Sequence, residues 1–323
     1  MDELSRQQLE QEELTLALLH TRAEVARLQA REQLFSTLLG SVNAVLWAFD
    51  WDAQRVIYVS PAYERVFGRS AALLLSGYEE WRNSIYPDDL DYAAESFAQV
   101  LQTGAVEARE YRIIRSDGQL RWLSDKCFVS RENAAGQPHI IVGIAEDITE
   151  KKQLEGELHR LATTDVLTQS SNRRHFFECA QREFEQAREY GSPLAFLLID
   201  LDDFKQINDR YGHQMGDQVL QRLAYSGVST LRRGDLFGRI GGEEFAALFP
   251  RCEPELAEQI AERLQREVRR LSFSHEGATF GITLSQGLTS LRPEDLSLDT
   301  LYARADAAMY QAKRQGKNQI VVD

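Results

Sequence analysis

The sequence predicts an α+β protein of two domains joined by a connector helix. Three observations lead there. The 323 residues amount to about two domains at ~150 residues each. All four tryptophans, Trp47, Trp51, Trp81 and Trp122, fall in one stretch of short strand-like segments and turns. The second half instead alternates long helical patterns with apolar runs such as 194–199, which suit strands covered on both faces.

Residues 1–33 read as one polar helix, since no Pro or Gly occurs before Gly40. Leu14, Leu18, Val25 and Leu28 follow a 4-3 spacing, with Thr21 in the remaining slot. That spacing fits a short coiled-coil seam or a single amphipathic helix lying on its own domain. Residues 34–148 form the first domain. Strands are expected at 45–49 and 56–59, with Trp51 and Asp52 in the turn. Ser60 and Pro61 suit a helix start and Gly68 its end. Strands at 107–115 and 120–130 are joined through Ser116-Asp117-Gly118, a hairpin signal, and 140–144 is a further apolar run. Residues 149–163 are the connector, with Leu154, Leu158 and Leu161 on one face. Residues 164–323 form the second domain. Strands are expected at 194–199, 236–240, 245–249, 282–286 and 320–322, and helices at 219–231, 255–271 and 301–315.

Composition narrows the function. The formal net charge is −13, so a basic nucleic-acid face is not expected, although a nucleotide bound through metal ions is compatible with it. No apolar run approaches the ~20 residues that span a bilayer, and the acidic N-terminus does not read as a signal peptide. Cys127, Cys179 and Cys252 are scattered without a metal-ligand pair, which suits a reducing cytoplasm.

The chemistry gathers in the second domain. The run ending Ile199-Asp200-Leu201-Asp202-Asp203 is an apolar strand that stops in carboxylates. Such groups could hold Mg²⁺, which prefers oxygen ligands shared with substrate phosphates, or form a solvated acidic loop. Gly241-Gly242-Glu243-Glu244 sits between two strands. The glycines allow a tight tip and close backbone approach, and the paired acids repel unless a cation lies between them; an exposed acidic turn is the plainer alternative. Asn208 and Asp217 flank a polar, glycine-containing segment and can pair with a guanine edge, or simply belong to a loop capping a helix. Lys313 and Lys317 end the last helix, where cations suit either a triphosphate or the helix dipole.

These residues resemble two known families. The order of "YVSPAYERVFG", "WRNSIYPDDL", "YRIIRSDGQLRWL" and "DIT" between Tyr58 and Thr149 resembles a PAS domain, which implies an antiparallel sheet with helices. The second domain carries "DLDDFKQIND", "YGHQMGD", "GGEEF" and "AKRQGKN" in order. It is similar to the GGDEF domain of diguanylate cyclases, implying a nucleotidyl-cyclase-like sheet flanked by helices. That family's opening pattern departs here, with Gln169 and Ser170 replacing the usual Gly and Leu, which bears on the shape of the opening turn.

The resemblance implies that two GTP molecules are condensed into cyclic di-GMP and two pyrophosphates. It implies that Asp200, the Leu201 carbonyl, Glu243 and Glu244 hold two Mg²⁺ ions, with Mn²⁺ as the alternative, and that Glu243 helps deprotonate the 3′-hydroxyl. Asn208 and Asp217 would bind guanine, Lys205, Lys313 and Lys317 phosphates, and Gly241 and Gly242 would leave room for substrate. Arg232 and Asp235 match the family's product-inhibition pattern, with Arg263 a third member. One domain holds half of the reacting pair, so a homodimer is expected. Hydrolysis of cyclic di-GMP needs a further domain and is not expected. The PAS domain's ligand, or its lack of one, is open: Cys127 lies on an expected strand, His139 at a strand start on the surface, and the tryptophans line a pocket or form a core. The alternatives are a catalytically silent cyclic di-GMP receptor and a PAS-based interaction scaffold.

Overall fold

The structure, a computed structural model, describes residues 18, 20–31, 34, 44–132, 135 and 138–323. Residues 20–31 are helical (α1). Of the expected seam, Leu18, Val25 and Leu28 are exposed, and Leu14 lies outside the described residues. The chain divides into two compact units that meet between Glu155 and Gly156.

In the first unit the strands are β1 (Ala44–Asp50), β2 (Arg55–Val59), β3 (Ala105–Ile114), β4 (Leu120–Glu132) and β5 (Pro138–Asp147). They form one antiparallel sheet in the order β2-β1-β5-β4-β3. Between β2 and β3 come α2 (Ala62–Phe67), α3 (Ala71–Ser76), α4 (Glu79–Arg82), a 3₁₀ turn (Pro87–Asp89) and α5 (Leu90–Thr103). α2 ends at Gly68, whose φ of 65° is the left-handed stop a glycine adopts freely. Ala93, Phe97 and Val100 of α5 pack with Val45, Phe49, Tyr111 and Leu123 of the sheet. Ile57, Tyr58 and Phe128 stay exposed. This is the PAS-like half.

α6 (Thr149–Thr163) carries the division between the units and buries no residue; Leu154, Leu158 and Leu161 are exposed. The second unit continues with α7 (Arg173–Tyr190), β6 (Leu194–Leu201), α8 (Phe204–Tyr211), α9 (His213–Thr230), β7 (Leu236–Arg239), β8 (Glu244–Pro250), α10 (Pro254–Arg269), β9 (Phe273–His275), β10 (Ala278–Phe280), β11 (Leu284–Ser290), α11 (Leu298–Arg314) and β12 (Ile320–Val322). Its main sheet runs β12-β11-β6-β8-β7. All pairs are antiparallel except β11 with β12.

Every residue of β6 is buried because both faces are covered. Ala195, Leu197, Ile199 and Leu201 point into a core shared with α9 and α10. Phe196 and Leu198, the alternate residues, pack with α7 and α11. The expected strand at 282–286 begins two residues later and runs to Ser290. Two of its buried polar residues find side-chain partners: Ser285 donates to Asp202, and Thr289 to Asp323. The short hairpin β9-β10 was not expected from the residue pattern.

Candidate active site

The acidic groups meet across the β6-β8 ladder. Asp200 is paired in register with Glu244, and Glu243 stands one residue nearer the Gly241-Gly242 tip. Like charges directly opposite each other on antiparallel strands destabilise a sheet. Burial pushes the Asp200 carboxyl up to about 6 and the charges of Glu243 and Glu244 add to that, against the pull of Lys313. Lys313 Nζ lies 2.7 Å from Asp200 Oδ2. The ammonium from α11 is thus paired with Asp200.

A Cβ at Gly241 would stand 2.6 Å from a Glu244 carboxylate oxygen, so the Glu244 side chain folds back over the tip only because residue 241 is glycine. Leu201, whose carbonyl is a candidate ligand, is 1 % exposed, and its N–H donates to the Glu243 carbonyl at 3.3 Å. Among the described residues no three His, Cys, Asp or Glu side chains close into a metal cage. The donor chemistry nonetheless fits a small hard divalent ion, which keeps waters and takes substrate phosphates in preference to an all-protein cage. Asp200, held by one lysine and opposed by Glu244, is an incomplete coordination set of that kind.

Lys317 comes from the turn after α11. Its Nζ lies 2.6 Å from Asp203 Oδ1, so the second lysine also ends on the acidic loop. Gly316, Lys317 and Asn318 all have positive φ, at 113°, 62° and 52°, a costly run for two residues with side chains. Asp202 helps hold it. This carboxylate is 6 % exposed and accepts hydrogen bonds from Thr283 Oγ1 at 2.7 Å, Ser285 Oγ at 2.6 Å and the Asn318 N–H at 3.0 Å.

Asn208 and Asp217 are brought close by the α8-α9 turn. A Cβ at Gly216 would lie 2.0 Å from Asn208 Oδ1, so Asn208 packs on the backbone next to Asp217. Asn208 is half-buried, and Asp217 and Lys205 are exposed.

The opening turn buttresses the hairpin. Asp165 Oδ1 accepts from the N–H and hydroxyl of Thr168 and from Arg239 at 3.2 Å. Arg239 in turn donates to the Gly242 carbonyl at 2.7 Å, and Arg173 to the Ile240 carbonyl at 2.7 Å. Gln169, standing where the family usually has Gly, still adopts a φ of 56°. Its side-chain amide donates to the Val166 carbonyl at 2.7 Å, which braces the turn. Arg239 and Arg173 were not picked out from the sequence, and Asp202 was read there only as one of the carboxylates that could hold Mg²⁺. Their partners are backbone atoms or distant strands, which leave no local pattern.

Arg232 Nε lies 2.9 Å from Asp235 Oδ1, and Arg232 also donates to the Pro250 carbonyl at 2.9 Å. Arg263 donates to the Thr230 carbonyl at the end of α9. The pair is therefore engaged with itself at the turn before β7, with Arg263 reaching the helix end two residues upstream.

Fold and site together define a cyclase-type α+β domain with an acid-lined glycine hairpin, preceded by a PAS-like unit. Residues 162–319 match the family described as "Diguanylate cyclase, GGDEF domain", and residues 56–145 match the PAS fold. A diguanylate cyclase of Vibrio cholerae is 31 % identical over 267 residues, 82 % of this chain and 82 % of that one. Diguanylate cyclase DgcM of Escherichia coli is 38 % identical over 182 residues, 56 % of this chain but only 43 % of its own length. The crystal structure of the coiled coil and GGDEF domain of DgcB from Caulobacter crescentus, in complex with c-di-GMP, aligns with a TM-score of 0.52 at 31 % identity, covering 55 % of this chain and 93 % of that one. The chain belongs to the diguanylate cyclase family, with a PAS domain ahead of its GGDEF domain. No helix among the described residues is long and apolar enough to cross a membrane.

Proposed function

We propose that the chain condenses two GTP into cyclic di-GMP, releasing two pyrophosphates, across a homodimer. The observation that carries this reading is the opposition of Asp200 and Glu244 across β6-β8, with Lys313 2.7 Å from Asp200. Asp200, the Leu201 carbonyl, Glu243 and Glu244 would hold two Mg²⁺ ions, or Mn²⁺ in their place. Bound there, such ions screen the triphosphate and ease ionisation of the 3′-hydroxyl.

The chain's own groups do the rest. Lys313 and Lys317 would turn from Asp200 and Asp203 to phosphate oxygens, joined by Lys205. Asn208 and Asp217 would fix the guanine, and Gly241 and Gly242 would let the nucleotide approach the backbone. The Glu243 carboxylate would take the 3′-hydroxyl proton. Each domain holds one GTP, so the 3′-oxygen of one must be set in line with the α-phosphate of the other across a two-fold axis. Catalysis is then mostly positioning and charge stabilisation. On this reading 1–33 and the connector 149–163 serve pairing, 34–148 is the sensor and 164–323 the cyclase. Arg232 and Asp235, with Arg263, would bind product as an inhibitor. The three free cysteines support a cytoplasmic setting.

Glu243→Gln tests the acid site. It keeps the shape and removes the charge, and should lower turnover by ~10²-fold or more while circular dichroism stays unchanged. Near-normal turnover would remove Glu243 from the site.

A further inference from the structure

The hairpin β9-β10 forms a two-stranded sheet of its own. Each strand has three residues, and so short a hairpin is not stable by itself in water. Aromatic rings hold it. Phe273 and Phe280 oppose each other in register and stack with ring centres 5.5 Å apart and 24° between planes. Phe273 is buried in the core shared with α9 and α10. The other residues of the two strands and of the Glu276-Gly277 tip are exposed or half-buried.

Phe280 also stacks on Tyr211, with ring centres 4.2 Å apart and planes within 4°. His275 stands T-shaped to the same tyrosine at 5.7 Å. Tyr211 is the last residue of α8, three positions after Asn208. That helix has eight residues and buries only Ile207, so on its own it is too short to fix Asn208. The Asn208 carbonyl accepts the Gly212 N–H at 2.9 Å, and Gly212, with a φ of 80°, turns the chain into α9 and towards Asp217. The rings Phe273, Phe280 and Tyr211 thus lead from the core to the end of α8. The return strand is tied separately beyond the hairpin, where Thr283 donates from its hydroxyl to Asp202 at 2.7 Å and accepts the Asp202 N–H at 3.0 Å. Loss of the Phe280 ring would therefore free the end of α8 and leave the acidic end of β6 held.

We propose that Phe280 is a positioning residue for the nucleotide base. Through its stack on Tyr211, the β9-β10 hairpin holds the end of α8 so that Asn208 meets the guanine edge. This assignment rests on the reading of Asn208 as a guanine ligand.

The test compares two ligands on the full chain with Mg²⁺. One is 3′-deoxy-GTP, which lacks the attacking hydroxyl and cannot be condensed. The other is inorganic triphosphate, which has no base. Phe280→Ala should weaken 3′-deoxy-GTP about 3- to 10-fold, the worth of one aromatic pair, and leave triphosphate affinity unchanged. Phe280→Tyr keeps the ring and should restore wild-type binding. Where circular dichroism shows the alanine variant unfolded, Phe280→Leu, which keeps apolar bulk without the stack, carries the same comparison. In an Asn208→Ala background Phe280→Ala should add nothing, because a positioning residue has no effect once the group it positions is gone. The proposal fails if a folded Phe280 variant binds 3′-deoxy-GTP like wild type, if triphosphate weakens by the same factor, or if the Phe280 and Asn208 losses simply add; these results leave the reading of Asn208 standing. Wild-type binding of 3′-deoxy-GTP by Asn208→Ala alone is a different failure: it removes Asn208 from the base site, and the role of Phe280 with it.

Discussion

Arg269 grips Asn318 twice: its Nε lies 2.7 Å from Asn318 Oδ1 and an Nη 2.8 Å from the Asn318 carbonyl. With Asp202 accepting the Asn318 N–H, this fixes from two sides the left-handed turn that carries Lys317. The end of α10 thereby controls a lysine on a different element.

Arg269→Ala releases one side of that grip. The arginine is exposed, so the loss of stability should be small, ~0–1 kcal/mol. The effect on GTP should be larger, because Lys317 loses its defined position. A raised KM for GTP with little change in melting temperature is the expected result, with partial rescue by Arg269→Lys. Unchanged KM would mean that the turn holds itself.

Gly287 tests the packing of the cyclase unit. A Cβ there would stand 2.1 Å from the Ala305 carbonyl oxygen and 2.4 Å from the Met309 nitrogen. Both belong to the backbone of α11, which cannot step aside as a side chain can. Gly287→Ala should destabilise the unit by about 1–3 kcal/mol or more and loosen the helix that carries Lys313. A chemical denaturation midpoint equal to wild type would contradict the close approach of α11 to β11.

How far these features were legible beforehand depends on where their partners lie. The apolar run 194–199 and the Gly-Gly tip declare themselves locally, as do the Ser116-Asp117-Gly118 turn and the Gly68 stop of α2. The roles of Asp202, Arg239 and Arg269 do not. An arginine on the outer face of α10 looks like any solvated helix residue until the chain 49 positions later folds against it. β11 runs past its expected end for the same reason, because the buried Thr289 is satisfied by Asp323, 34 positions later. In the first domain the aromatic residues were plain, but a core and a cavity wall have the same composition.

Acid should weaken the first unit through Asp89. Hydrogen bonds from the Arg112 side chain hold its carboxyl below the ordinary 3.8, against a smaller opposing effect of burial. Folding therefore favours the charged form. The contribution is fully present above about pH 4 and is lost as pH falls through the lower folded value. The melting-temperature gap between wild type and Asp89→Asn should be widest near neutrality and shrink below pH 4. A constant gap would mean that the Asp89 charge plays no part.

The most direct test of the whole reading is the product itself. Purified full-length protein is incubated with GTP and Mg²⁺, and the nucleotides are separated by chromatography while pyrophosphate is measured in parallel. The account predicts cyclic di-GMP and pyrophosphate in a ratio of one to two, a rate per chain that rises with protein concentration until dimers dominate, and loss of both products in Glu243→Gln. GTP that remains intact under these conditions, or is consumed without any cyclic di-GMP, would contradict it.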